Sequence, residues 1–191
     1  MTDTVAAPDV RRFLFVLGSS RAGNSEALAR HAATALPADV EQDWKRLSEL
    51  PLAAFSDTDH AEHPEPSGNE RILLDATLDA SDIVVVSPLY WYNVSASVKL
   101  YLDYWGGWMR RPQLRFRTRM QGKTMWAVTT TGVEDAVKAG PLLESLRLSA
   151  EYLGMRWGGD VVAHARRPGG ILAEADALER ARTLFQAGPA W

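Results

Sequence analysis

Two kinds of segment alternate along the chain: short runs that are apolar at nearly every position, and longer stretches whose apolar residues recur every three or four. Residues 13–17, Phe-Leu-Phe-Val-Leu, form the first short run. A polar octet follows at 18–25, Gly-Ser-Ser-Arg-Ala-Gly-Asn-Ser, and then an alanine-rich stretch with Leu28, Ala32, Ala35 and Leu36 at helical spacing. This predicts a strand, a polar loop and a helix. Pro37 stops the helix, and residues 40–47 around Trp44 hold a weaker candidate strand. Pro, Ser, Asp, Glu and His give residues 56–68 a loop composition, after which Ile72, Leu73, Ala76, Leu78 and Ala80 predict a second helix. Ile83-Val-Val-Val86, ahead of Ser87, is the pattern of a strand covered on both faces, central in a parallel sheet. A helix over 93–104, a strand over 124–131, a helix over 139–153, a strand over 155–163 and a helix over 172–186 complete the order.

Five strands alternating with five helices, with no hairpin turn between them, predict βαβ units and an α/β three-layer sandwich on a parallel sheet. A length of 191 residues suits one domain: 1–10 read as a flexible N-terminal lead-in and 11–191 as the domain, with no internal repeat or linker. Ligands of such sheets bind beyond the carboxyl ends of the strands, where strand order reverses. That rule singles out three loops, at 18–25, 87–93 and 129–135.

Composition narrows the chemistry. Hydrophobic residues at 46% and charged residues at 24% are ordinary for a globular chain, and the net charge of -3 supplies no global field toward nucleic acid or anionic lipid. There is no cysteine, which excludes disulfides, thiolate metal sites and thiol catalysis. No apolar run approaches the ~20 residues of a membrane span, and the N-terminus lacks a signal-peptide pattern, so a cytoplasmic location is expected.

The first loop sets three serines, an arginine and an asparagine between a strand and a helix. Helix N–H groups, hydroxyls and a guanidinium together suit a phosphate; a plain capping turn would need only Asn24 or Ser25. The loop lacks the Gly-Lys-Ser/Thr of a triphosphate loop and the G-x-G-x-x-G of a dinucleotide fold. It is no nucleophile elbow either, since Ala22 stands where the second glycine belongs. The second loop carries Tyr90, Trp91 and Tyr92 just past the central strand, and Pro88 holds it extended. Such rings can wall a flat conjugated ligand. Tyr101 and Trp105, at helical spacing, read as core or subunit contacts. The third loop offers Thr130, Thr131 and Gly132 at another strand end, a pattern that strand propensity alone also produces.

The pairing of GSSRAGNS after the first strand with SPLYWYNVSASVKLYLDYW after the third resembles the flavodoxin-like NAD(P)H-dependent oxidoreductases, the FMN reductase and quinone reductase group. The resemblance covers nearly the whole chain in element order and implies a five-stranded sheet of order 2-1-3-4-5. It implies FMN as cofactor, with Ser19, Arg21, Asn24 and Ser25 at its phosphate. Pro88, Leu89, Tyr90, Trp91, Tyr92 and Asn93 would flank its ring, Thr130, Thr131 and Gly132 would close the other side, and Lys99 and Asp103 match as helix residues. The chain departs from relatives with a Gly-rich third loop. The resemblance further implies hydride transfer from NADPH or NADH through FMN to a small acceptor such as a flavin or quinone, by a ping-pong mechanism with no catalytic side chain. A homodimer is expected, with Tyr101, Tyr104, Trp105 and Trp108 as contact surface. The alternative is a flavodoxin-like single-electron carrier serving partner proteins.

Two further signals are weak. His60 and His63 among carboxylates follow no zinc spacing, so no metal is expected. Arg110, Arg111, Arg115, Arg117, Arg119 and Lys123 fall in a stretch without acids, a basic surface or else a lid for nicotinamide phosphates; no nucleic-acid motif accompanies them.

Overall fold

The computed structural model describes residues 11–56 and 65–186. The lead-in at 1–10 and His60 and His63 lie outside the described residues. Five strands, β1 (Arg12–Leu17), β2 (Glu41–Arg46), β3 (Asp82–Pro88), β4 (Thr124–Thr131) and β5 (Arg156–His164), form one parallel sheet of order β2-β1-β3-β4-β5. This is the expected three-layer sandwich. The runs that are apolar throughout became β1 and β3, next to β4 in the sheet interior. The weaker candidate strand became β2, a half-exposed edge strand.

Side-chain alternation splits the core into two faces. Leu14, Val16, Ile83, Val85, Met125 and Ala127 pack beneath α2 (Gly68–Asp79), α3 (Ala96–Met109) and, after a short helix α4 (Phe116–Met120), α5 (Gly140–Tyr152). Phe13, Phe15, Leu17, Val84, Val86, Trp126 and Val128 pack beneath α1 (Asn24–Ala33) and α6 (Ala175–Thr183). Burying both faces of the central strands is what requires residues that are apolar at successive positions. No described helix is long and apolar enough to cross a membrane.

Two expectations are corrected. Three of the four aromatics of α3 are interior: Tyr101, Trp105 and Trp108 are buried, with Tyr101 edge-on to both indoles and Phe116 tilted against them, while Tyr104 is half-buried and donates its hydroxyl to the Ala53 carbonyl at 3.1 Å. The Tyr101 hydroxyl meets Thr77 Oγ1 at 2.6 Å, and burial pushes its pKa up to about 12. The three buried rings are core, so they furnish no exposed dimer surface. The basic stretch forms a 3-10 turn (Pro112–Leu114) and then α4, whose Phe116 and Met120 are buried. Arg117 lies 4.8 Å over the Tyr152 ring and donates to its carbonyl at 3.1 Å, Arg119 is 3.9 Å from Asp79, and Lys123 donates to the carbonyls of Leu78 and Ala80. Those partners end α5 and α2, just ahead of β5 and β3, so Arg117, Arg119 and Lys123 sit at the amino edge of the sheet. They cannot cover loops at the carboxyl edge. Burial, with help from Arg119, lowers the Lys123 ammonium to about 8.

Candidate functional site at the carboxyl edge

The three loops singled out by the sequence converge where β1, β3 and β4 end. Gly18 donates its N–H to the Val86 carbonyl at 2.8 Å, so the first loop leaves β1 along the flank of β3. A Cβ on Gly18 would lie 2.5 Å from Ser95 Oγ and 2.5 Å from Val98 Cγ2; only glycine permits that approach. The Gly18 carbonyl in turn accepts from Ser97 Oγ at 3.1 Å. Ser87 Oγ accepts from the Ser95 N–H at 2.9 Å, and the Ser95 hydroxyl caps α3 by accepting from Val98 N–H. Serines therefore weld the first loop to the second.

The side chains expected at a phosphate divide into two sets. Asn24 donates to the carbonyls of Ala165 (3.1 Å) and Arg167 (2.8 Å), bracing α1 against the segment after β5, and the hydroxyls of Ser25 and Thr130 are 2.6 Å apart and buried. These two side chains are used inside the fold. What remains open is the half-buried Ser19, the exposed Ser20 and Arg21, and the first turn of α1. Arg21 makes no hydrogen bond or ion pair with any described residue. Gly23 caps α1 without a side chain, so no side-chain oxygen covers the helix's leading N–H groups.

The second loop is a tight aromatic turn. Tyr90 and Asn93 exchange backbone hydrogen bonds at 2.9 and 3.0 Å, while Trp91 (φ 50°) and Tyr92 (φ 63°) both occupy the left-handed region, the pattern of a type I′ turn. Bulky residues rarely adopt that region, and such strain gathers at functional sites. The turn displays its rings: Trp91 is 94% exposed, and Tyr90 and Tyr92 are exposed beside it. Pro88 closes β3, and Leu89 N–H donates to the Thr130 carbonyl at 3.0 Å, which joins this turn to β4. Thr131 Oγ1 accepts from Val133 N–H at 3.1 Å, and Gly132 stands open. Lys99 and Asp103 pair with each other on α3.

Sequence reasoning missed Arg46. As the last residue of β2 it is the register partner of Leu17, and it reaches under the first loop to donate to the Ser19 carbonyl at 3.2 Å and to Glu26 Oε2 at 2.6 Å. Burial alone would push the Glu26 carboxyl up, but hydrogen bonds and charge from Arg46 and Arg30 outweigh it and hold the group below the usual range. The available signal was a basic residue at a strand's carboxyl end, beside the polar loop.

Comparison with known proteins bears on this arrangement. A family model described as flavodoxin-like fold matches residues 11–187. A Bacillus subtilis protein, YwqN, whose name proposes an NAD(P)H-dependent FMN-containing oxidoreductase, is 27% identical over 173 residues, spanning 88% of this chain and 93% of its own. Among solved structures, the Trp repressor binding protein from Bacillus subtilis superposes with a TM-score of 0.72 at 23% identity, covering 91% of this chain and 97% of that one. An NADH:FMN oxidoreductase in its apo form gives 0.67 at 17% identity, covering 93% and 87%. A Bacillus anthracis FMN-dependent NADH-azoreductase in complex with FMN gives 0.59 at 14%, covering 93% and 97%. At these identities the structural likenesses establish the fold.

Proposed function

Because the chain belongs to the flavodoxin-like fold family, we propose that it is an FMN-dependent oxidoreductase that takes a hydride from NAD(P)H and delivers it to a small acceptor. The observation that carries this reading is the junction of an unfilled donor set with an exposed aromatic turn at one sheet edge. The residues present fit FMN. Ser19, Ser20, Arg21 and the uncapped first turn of α1 supply hydroxyl, guanidinium and N–H donors for a phosphate. The flat fused ring of FMN needs a broad apolar wall at that edge, and Tyr90, Trp91 and Tyr92 offer one. The name of the Bacillus subtilis relative supports the same cofactor and reductant.

When bound, FMN supplies the two-electron chemistry between a reduced nicotinamide and an oxidised acceptor. The chain's own part is binding and orientation. Arg21 and the α1 N-terminus would hold the phosphate, while Asn24 and the Ser25–Thr130 pair brace the loops that would carry it. Pro88, Leu89 and Asn93 fix the path of the turn, and its rings would shield the flavin edge from water. Gly132 would border the other side, where the backbone is open, with the buried Thr131 holding the turn beneath it through Val133 N–H.

The test is to load the purified protein with FMN and add NADPH or NADH anaerobically. Direct bleaching of the yellow colour, followed by its return on adding a quinone, is the expected result. A colour that neither nucleotide bleaches, but that a one-electron reductase does, overturns the reading in favour of an electron carrier. Replacing Arg21 by Ala removes a charge-assisted contact and is expected to weaken FMN by roughly 1.5–3 kcal/mol; fluorescence titration with FMN measures it.

A further inference from the structure

The start of α1 carries an apparent contradiction. Glu26 is the third residue of the helix, and its side chain is only 5% exposed. It stands in the first turn, at the positive end of the helix where an anionic ligand would settle. A carboxylate there competes for the same positive end and repels an arriving phosphate. Two guanidinium groups face it. Arg30 Nε donates to Glu26 Oε1 at 2.9 Å from one turn further along, and its side chain is half exposed. Arg46 Nη2 donates to Oε2 at 2.6 Å and is 15% exposed, so solvent and salt screen it less. Arg46 alone also grips the loop, through the Ser19 carbonyl, with Glu49 3.2 Å behind its Nε.

We propose that Arg46 is a positioning residue for the cofactor phosphate: by holding the Ser19 carbonyl and cancelling the Glu26 charge, it makes the first loop selective for FMN over riboflavin. The inference rests on the flavin reading above and adds to it a residue whose guanidinium is taken up by the Ser19 carbonyl and the Glu26 and Glu49 carboxylates. Two effects are combined in one side chain. The contact to Ser19 sets the loop's height above the sheet, and the contact to Glu26 sets the local charge. The second effect acts on a charged ligand and leaves a neutral one indifferent, which separates this role from simple bracing.

The experiment titrates flavin-free protein with FMN and with riboflavin, following flavin fluorescence, for wild type, Arg46→Met, Glu26→Gln and the double variant. Arg46→Met is expected to weaken FMN at least about tenfold, the scale of one uncompensated charge at short range, with riboflavin changed by less than about twofold. The double variant should recover most of the loss, and Glu26→Gln alone should bind FMN at least as tightly as wild type. Equal losses for both flavins, or a double variant as weak as Arg46→Met, would overturn the proposal and leave Arg46 a brace. Should Arg46→Met fail to fold, Glu26→Gln still decides: tighter FMN with unchanged riboflavin supports the charge role, and equal weakening of both overturns it. A wild type that takes up neither flavin overturns the flavin reading and this inference together. That outcome differs plainly from a wild type that binds FMN and a set of variants that do not discriminate.

Discussion

Replacing Asp82 by Ala is expected to cost about 3 kcal/mol of folding stability, the low end of what lost charge-assisted hydrogen bonds and an unmet buried donor together cost. Asp82 opens β3 at the amino edge and is 2% exposed. Its Oδ1 accepts from Arg11 Nη2 at 2.5 Å and from the buried indole of Trp126 at 2.9 Å. Its Oδ2 accepts from Arg11 Nε at 3.1 Å and from Ser81 Oγ at 2.7 Å. Truncation leaves the Trp126 N–H without an acceptor in the apolar layer beneath α6, which adds the cost of an unmet buried donor. Arg11 is half exposed and can turn to water, which keeps the total near the low end. Urea unfolding measures it: a lowered midpoint with an unchanged slope is the expected result. Asp82→Asn keeps one acceptor for Trp126 and should lose less. Because Asp82 lies at the opposite end of β3 from Ser87, FMN affinity of the folded variant should stay within about twofold of wild type, well under the 1.4 kcal/mol of a tenfold change.

Gly18→Ala is expected to show the opposite profile, with the larger effect on the ligand. The added Cβ meets Ser95 Oγ and Val98 Cγ2 at 2.5 Å, and the Val86 carbonyl at 3.3 Å. Ser95 caps α3 and accepts no displacement without loosening that cap, while Val98 is fully buried. Overpacking of this kind costs about 1–3 kcal/mol. The strain falls on the seam between the first loop and the aromatic turn, so FMN affinity should drop at least about tenfold, or 1.4 kcal/mol in binding terms. Titration with FMN alongside thermal unfolding checks both. A variant that loses stability but binds FMN as tightly as wild type would show that the seam between the two loops does not govern the site.

The two variants probe opposite edges of one sheet, and the sequence located them unequally. The loop at 18–25 was legible because it interrupts an apolar run with five polar side chains, and the aromatic turn because three rings follow a central strand. The resemblance to flavodoxin-like oxidoreductases implied that the two loops face one ligand, and the fold brings them side by side. Individual roles were less legible. Asn24 and Ser25 looked like phosphate ligands, yet their side chains bind the 165–167 segment and Thr130, more than a hundred residues away. Nothing in the local pattern distinguishes a polar side chain turned toward a ligand from one turned toward a distant carbonyl. Arg46 escaped notice for the same reason: its meaning lies in Glu26 and Ser19, which reach it only when β2 pairs with β1.

The basic stretch and the aromatic third helix show where such reading stops. Six basic residues without an acid were legible as charge, but not as a position. Arg117, Arg119 and Lys123 came to the amino edge because α4 packs Phe116 and Met120 into the core and leaves the cations to cap the ends of α2 and α5. Tyr101, Trp105 and Trp108 were legible as a large apolar area, and their inward direction followed from helical phase against α2 and Phe116. By itself, then, the sequence determined the order of the five strands and of every α-helix but α4, the parallel sheet and the three loops at its carboxyl edge, because hydrophobic periodicity is a local property written in adjacent residues. The tertiary structure decided which polar atoms stay open to a ligand, which charges neutralise each other and which edge each cluster occupies. Those depend on contacts between residues far apart in the chain, and such contacts exist only once the sheet has paired and both of its faces are covered.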